Sequence, residues 1–272
     1  MPDEHGLDEH GVSMSTEYSG SGDPARSLAL LWRTQERASR KNKPPISVDA
    51  IVRAAMEIAD TDGLAALSMR RAAERLGVGT MSLYTYVPGK AELLDVMLDT
   101  AYGELSGPGS VGPDWRAELE RVARENWALF RRHPWMLHVA TGRPVLGPNA
   151  MAKYERELRA VADLSLTEAE MDSVVSLVLS HAEGAARRAV EAAQVVQGSG
   201  MTDEQWWRAH APFLSSIVDA TRYPTASRVG TAVGAAQGSA FDPAHAFEFG
   251  LQRVLDGIGV LIRDRSGSAG PR

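Results

Sequence analysis

Cysteine is absent from the 272 residues, which excludes a disulfide framework, thiolate catalysis and Cys-ligated zinc or iron–sulfur centres. Aromatic residues are scarce at 6%, a poor composition for a strand-rich fold, whereas abundant Ala and Leu favour helix. Long apolar runs are missing too. The segment from Ser173 to Leu179 falls far short of the ~20 residues that span a bilayer, so no membrane association is expected. The opening Met1-Pro2-Asp3-Glu4-His5 lacks the basic and apolar regions of a secretory signal, and a cytoplasmic location is expected. There is no nucleophile elbow, Walker loop, dinucleotide Gly pattern or paired-His metal spacing, and the seven histidines are scattered. Neither an enzyme nor a cofactor or metal is expected.

Charge is unevenly spread. The net −6 conceals an N-terminal stretch, residues 1 to 25, with six acids and no Lys or Arg. It is followed by Arg26 to Lys90, with eleven basic residues against six acidic ones, and then by an acidic remainder. A basic segment inside an acidic chain suits a nucleic-acid-binding module joined to a domain with another task; chance clustering is the alternative.

The pattern predicts an all-α chain. Residues 1–25 are polar and Gly-interleaved and are expected to be a disordered tail. Residues 26–45 read as a basic extension, with a short amphipathic helix from Ser27 running into Arg33, Arg37, Arg40, Lys41 and Lys43 before Pro44-Pro45. Residues 46–105 read as a first domain. Ser47 is an N-cap for Ile51, Ala54, Ala55 and Ile58, and a helix end is expected near Asp62-Gly63; short helices follow from Ser68 to Gly77 and from Thr80 to Tyr86. A fourth begins at Lys90-Ala91 and carries Leu94, Met97, Leu98 and Ala101. Residues 112–265 read as a larger helical domain. Capping boxes at Thr167-x-x-Glu170 and Thr202-x-x-Gln205 open helices to about Ala193 and Ala220, and a last helix runs from Pro243 to about Arg263. Tyr223 to Phe241, rich in Gly, Ala and Ser, reads as a long mobile loop.

Leu67 to Val87 has the layout of a helix-turn-helix. Leu76, Val78 and Leu83 supply a shared core, leaving Thr80, Met81, Ser82, Thr85 and Tyr86 on the outer surface of the second helix, which in this motif enters the major groove. Ser82 or Thr80 suits a base or phosphate, and Met81 a thymine methyl. Tyr84, Tyr86, Lys90, Arg70 and Arg71 suit phosphate oxygens, with a guanine edge an alternative for Arg70. A plain helical hairpin with solvated charges remains the other reading.

Residues Ile46 to Tyr102 resemble the DNA-binding domain of the TetR family of bacterial transcriptional regulators, most specifically in Gly77-Val78 and Ser82-Leu83-Tyr84-x-Tyr86-Val87-x-x-Lys90-x-x-Leu93-Leu94. The resemblance implies that Arg70, Thr80, Met81, Ser82 and Tyr84 contact operator DNA and that Lys90 touches the backbone. Thr85 stands where the family often has an aromatic residue. More loosely, Arg132-His133-Pro134-Trp135, the long helix from Thr167 and Arg222-Tyr223-Pro224 resemble the subgroup of the tetracycline repressor. This implies a homodimer on a palindromic operator and a small-molecule inducer, apolar or amphipathic, that releases it.

Candidate effector-pocket residues are Trp127, Trp135, Met136, His138, Met151, Tyr154, Met171, Val175, Leu179 and Phe247, soft or aromatic side chains suited to an apolar cavity. Two stripes offer a dimer face: Val174, Val178, His181, Ala185 and Arg188, and Leu251, Leu255, Ile258 and Ile262. Either stripe is equally suited to internal core. Two other functions stay open: a helical small-molecule carrier without operator preference, and a DNA-binding protein without an effector. The basic extension is expected either to contact DNA or to be inert.

Overall fold

The computed structural model describes residues 17–18, 23–34, 46–105, 114–140, 143–239 and 241–268. Helix dominates them. α1 (Pro24–Leu31) precedes α2 (Val48–Asp62), whose first turn is capped by the Ser47 hydroxyl accepting the Ala50 N–H at 3.1 Å. A 3₁₀ turn (Leu64–Ala66) leads to α3 (Met69–Arg75), α4 (Thr80–Tyr84) and α5 (Lys90–Gly103). α2 and α3 begin at the predicted Ser47 and Ser68 caps and α5 after the Pro88-Gly89 break, whereas α4 starts after Gly79 without a side-chain cap and ends two residues short of Tyr86. They share one core, in which Ile51, Ile58, Leu83, Leu94 and Met97 are buried.

The second layer begins with α6 (Trp115–Arg132), capped by Asp114, and a 3₁₀ turn over Pro134–His138. α7 (Pro148–Arg159) and α8 (Glu168–Ser199) follow, then α9 (Asp203–Ile217), α10 (Pro224–Gln237) and α11 (Pro243–Ser268). The capping boxes at Thr167 and Thr202 are both formed, and α8 runs six residues beyond the expected end. A second core lies between α6, α8 and α11 and buries Leu119, Val122, Val178, Phe247 and Leu255. Arg124 bridges α6 to Glu248 of α11 at 2.9 Å, and Arg116 bridges α6 to Asp256 at the same distance. Among the described residues no helix is long and apolar enough to cross a membrane.

Two expectations are corrected. Within the supposedly disordered tail, β1 (Glu17–Tyr18) pairs in parallel with β2 (Val139–Ala140). The Asp23 carboxylate caps α1 by accepting the Arg26 N–H at 2.9 Å, with Pro24 at the first helical position. The Asp-Pro start signal was masked by averaging over the Gly-rich stretch around it. Second, the segment from Tyr223 to Phe241 is mostly α10. Its glycines serve close packing, since a Cβ on Gly234 would lie 2.7 Å from the Trp207 indole of α9. The two stripes left open between core and dimer face divide: Val174, Val178, Leu251, Leu255 and Ile258 are buried within the chain's own core, whereas His181, Ala185, Arg188 and Ile262 are not.

The described part of the extension, residues 26–34, packs against the rest of the chain. Leu31 of α1 is buried with the α2–α5 core, the Trp32 indole N–H donates to the Leu146 carbonyl at 2.8 Å, and Arg33 pairs with Asp49 of α2 at 2.6 Å. α1 therefore straps the first layer to the second. Arg37, Arg40, Lys41 and Lys43 lie outside the described residues.

Candidate nucleic-acid interface and effector region

α3 and α4 are held by a short turn at Gly77, whose φ of 67° lies in the left-handed region that Gly adopts without a Cβ penalty. Leu83 and Val87 are wholly buried and pin α4 to the core from beneath. Their anchoring turns the opposite face outward. Met81 is 78% exposed, and Ser82, Tyr84, Thr85 and Tyr86 are exposed beside it, with Thr80 half-buried at the N-terminal turn. The helix proper stops at Tyr84; Tyr86 and Val87 donate their N–H groups back to the Leu83 carbonyl and close a tight last turn.

The cations flank this face. Arg70 is almost fully solvated and only loosely paired with Glu74 at 3.5 Å, so its guanidinium can turn to another anion at little cost. Arg71 is held by Asp62 at 2.7 Å and Arg75 by Glu57 at 2.9 Å, both pairs tying α3 to α2. Lys90 is half-buried where α5 begins. The nine predicted interface residues thus sit on α3, α4, the turn that follows α4 and the start of α5.

The ten effector candidates do not form one wall. Trp127 stacks on Phe247 with ring centroids 4.7 Å apart, and Val175, Met171 and Leu179 pack in the same core. Trp135 and Met136 are buried with the first-layer core instead. Met151 and Tyr154 are exposed, the Tyr154 hydroxyl donating to Asp172 at 2.9 Å. His138 is exposed at the edge of a cleft between the layers. His181 is structural, its Nε2 2.9 Å from the Phe247 carbonyl and its ring stacked on Phe247.

Sequence reasoning missed a buried polar cluster. Asn126 of α6 donates to Glu157 of α7 at 2.9 Å, and Lys153 of α7 reaches the same Glu157 oxygen at 2.7 Å while lying 5.3 Å from the Tyr102 ring centroid. Burial pushes the Lys153 ammonium below its ordinary value despite the nearby Glu157 carboxylate. Burial, reinforced by Glu157, pushes the Tyr102 phenol up to about 12 and keeps it a neutral donor. The indole N–H of Trp127, next to Asn126 in sequence, is buried with no hydrogen-bond partner among the described residues. The available signal was Asn126 itself, a polar residue on the α6 stripe otherwise made by Leu119, Val122, Ala123 and Leu129.

Known proteins agree with this layout. Residues 51–97 match the family described as "Bacterial regulatory proteins, tetR family", and residues 108–262 match "Tetracyclin repressor-like, C-terminal domain". The chain is 46% identical over 262 residues to the HTH-type transcriptional repressor DrrR1 of Streptomyces coeruleorubidus, covering 96% of this chain and 95% of that one. It is 36% identical over 154 residues to an HTH-type transcriptional regulator of Saccharopolyspora erythraea, covering 57% of this chain and 65% of that one. In structure it is similar to the TetR family protein ActR of Streptomyces coelicolor in complex with actinorhodin. The TM-score is 0.66 at 26% identity, over 79% of this chain and 96% of ActR. A recessed Leu83 and Val87 beneath an exposed Met81–Tyr86 face, joined to a helical second layer, therefore have a shared origin: the chain is a DNA-binding transcriptional regulator that belongs to the TetR family.

Proposed function

We propose that this regulator is a repressor that binds a palindromic operator as a homodimer and leaves it when a small, apolar or amphipathic molecule occupies the second layer. The observation that carries the DNA reading is the exposed α4 face. Met81, Ser82 and Thr80 meet base edges, while Tyr84, Tyr86, Lys90, Arg70 and Arg71 hold phosphates. Thr85 adds a hydroxyl beside them. Arg71 must share its guanidinium with Asp62, so Arg70 is the more available of the two. No catalytic role is assigned to any residue.

The dimer reading is supported by α9 and α10, which bury none of their residues within the chain. Phe213 is 74% and Ile217 77% exposed, with Trp206, Leu214 and Val229 nearly half exposed. Apolar surface of this extent on a regulator is expected to meet a partner. Leu177 of α8 and Phe249 and Val260 of α11, also exposed, give the second copy its remaining contacts.

The effector reading is supported by the Asn126–Glu157–Lys153 cluster between α6 and α7 and by the unpartnered Trp127 N–H. An amphipathic molecule would bring acceptors to these donors and an apolar body to Phe247 and Val175. That the similar ActR was solved in complex with actinorhodin fits a small-molecule effector. The reading is tested by selecting bound duplexes from a random pool with the purified protein at fixed salt, which sets the phosphate contribution. Enrichment of a palindrome with half-sites about one turn apart, ~34–36 Å, is expected of a two-fold dimer. No enrichment by a folded dimer contradicts it and favours a small-molecule carrier.

A further inference from the structure

A cleft of about 470 Å³ separates the two layers, within the ~300–1,000 Å³ range of small-molecule sites. One wall is the C-terminal end of α2, with Asp60 and Asp62; the other is the Pro134–His138 turn and the last third of α8, with Gln194 and Gln197. Its apolar surface comes from both layers. Trp135, only 1% exposed, lines it, and the Trp135 indole N–H is buried with no hydrogen-bond partner among the described residues.

One carboxylate of this cleft, Asp60, also helps to hold the layers together. Asp60 lies 2.8 Å from Nδ1 of His133, and Glu104, at the end of α5, lies 3.0 Å from Nε2 of the same ring. His133 is thereby clamped between α2 and α5, and Arg132 completes the cluster by pairing with Glu104 at 2.6 Å. Asp62 holds Arg71 of α3. Both cleft carboxylates remain about one-third solvent-accessible, so a ligand can reach them.

We infer that this interlayer cleft is a second ligand site, distinct from the effector region between α6 and α7, and that it takes an organic cation with an aromatic or apolar body. The two carboxylates and two amide carbonyls accept from an ammonium group. Arg131, the cation on the rim, lies over the Trp127 ring at 4.5 Å. An ammonium drawn to Asp60 and Asp62 competes with His133 and Arg71 for those oxygens. Occupancy therefore loosens the clamp between layers and frees the α3 guanidinium at once. The consequence at DNA rests on the operator-binding reading above, but binding itself does not.

The test uses the full chain without DNA. Calorimetric titration with 2-naphthylmethylamine is expected to show binding about tenfold or more tighter than with the neutral isostere 2-naphthylmethanol. Ala193→Trp, placing a large ring into the cleft from the exposed face of α8, is expected to abolish the amine's binding while leaving helicity unchanged. Asp60→Asn is expected to erase the preference for amine over alcohol. Absence of amine binding, equal affinity for both probes, or undiminished binding by folded Ala193→Trp overturns the proposal. None of these outcomes bears on operator selection, so the two readings fail separately.

Discussion

The Asp99 carboxylate accepts the backbone N–H of Ala150 at 2.9 Å, so a side chain of α5 caps the first turn of α7. Asn149 adds its amide at 3.2 Å. α5 belongs to the DNA-reading layer and α7 to the effector layer, and this bond is one of the direct links between them. Asp99→Ala is expected to lower stability by about 1–2 kcal/mol, the usual cost of losing a helix cap, as read by urea unfolding. Gly147→Ala strikes the same joint from the other side, since its Cβ would lie 2.2 Å from the Asp99 carboxylate, and a similar or larger loss is expected.

The clamp around His133 makes stability depend on acid. Burial pushes the Glu104 carboxyl up, but hydrogen bonds from Arg132 and His133 and their charges pull it down further, leaving it below its ordinary 4.5. A carboxylate lowered by folding stabilises the native state above its unfolded value and loses that contribution as pH falls through the folded one. Glu104→Gln is therefore expected to flatten the fall in stability below about pH 4.5, with a cost under about 1 kcal/mol at neutral pH because the pair is partly solvated. Unfolding free energies measured from neutral pH into the carboxylate range check this. An unchanged acid limb would assign the sensitivity elsewhere.

α1 contributes to the first-layer core through Leu31. Leu31→Ala is expected to cost about 2–3 kcal/mol, typical of emptying a buried aliphatic site. A surface residue would cost almost nothing, so thermal unfolding of this variant separates a structural strap from an inert tail.

The exposed α9 and α10 predict a concentration-dependent phenotype. Phe213→Glu combined with Ile217→Glu is expected to weaken self-association without reducing helicity, because neither side chain is buried within the chain. Sedimentation velocity over a dilution series reads the result. A double variant that associates as tightly as the wild type would remove these helices from the interface.

Much of the fold was legible because its boundaries are local chemistry. Ser47, Ser68, Thr167 and Thr202 each cap the helix that the sequence assigns to them, and Gly77 marks the turn that orients α4. The exposed face of α4 follows from the same periodicity, with Leu83 and Val87 buried in register. What stayed hidden depends on distant partners. Val174 and Leu251 sit on apolar stripes that suit either core or dimer, and periodicity cannot choose between them. Gly-rich composition usually means a break and so predicts a loop where α10 lies, whereas Gly234 is small to admit Trp207. The effector candidates were chosen for aromatic character, while the buried cluster is polar and announced itself only through Asn126.

DNA reading by the α4 face is tested by fluorescence anisotropy of the full chain on the selected duplex and on a scrambled duplex of equal length and composition, at one physiological salt concentration. At least ~10³-fold tighter binding to the selected sequence is expected, the usual margin of specific over non-specific recognition. Most of that margin is expected to vanish in the folded Tyr84→Ala, Lys90→Ala variant. Equal affinity for both duplexes, or an unaltered margin in the folded variant, would rule out DNA reading by this face.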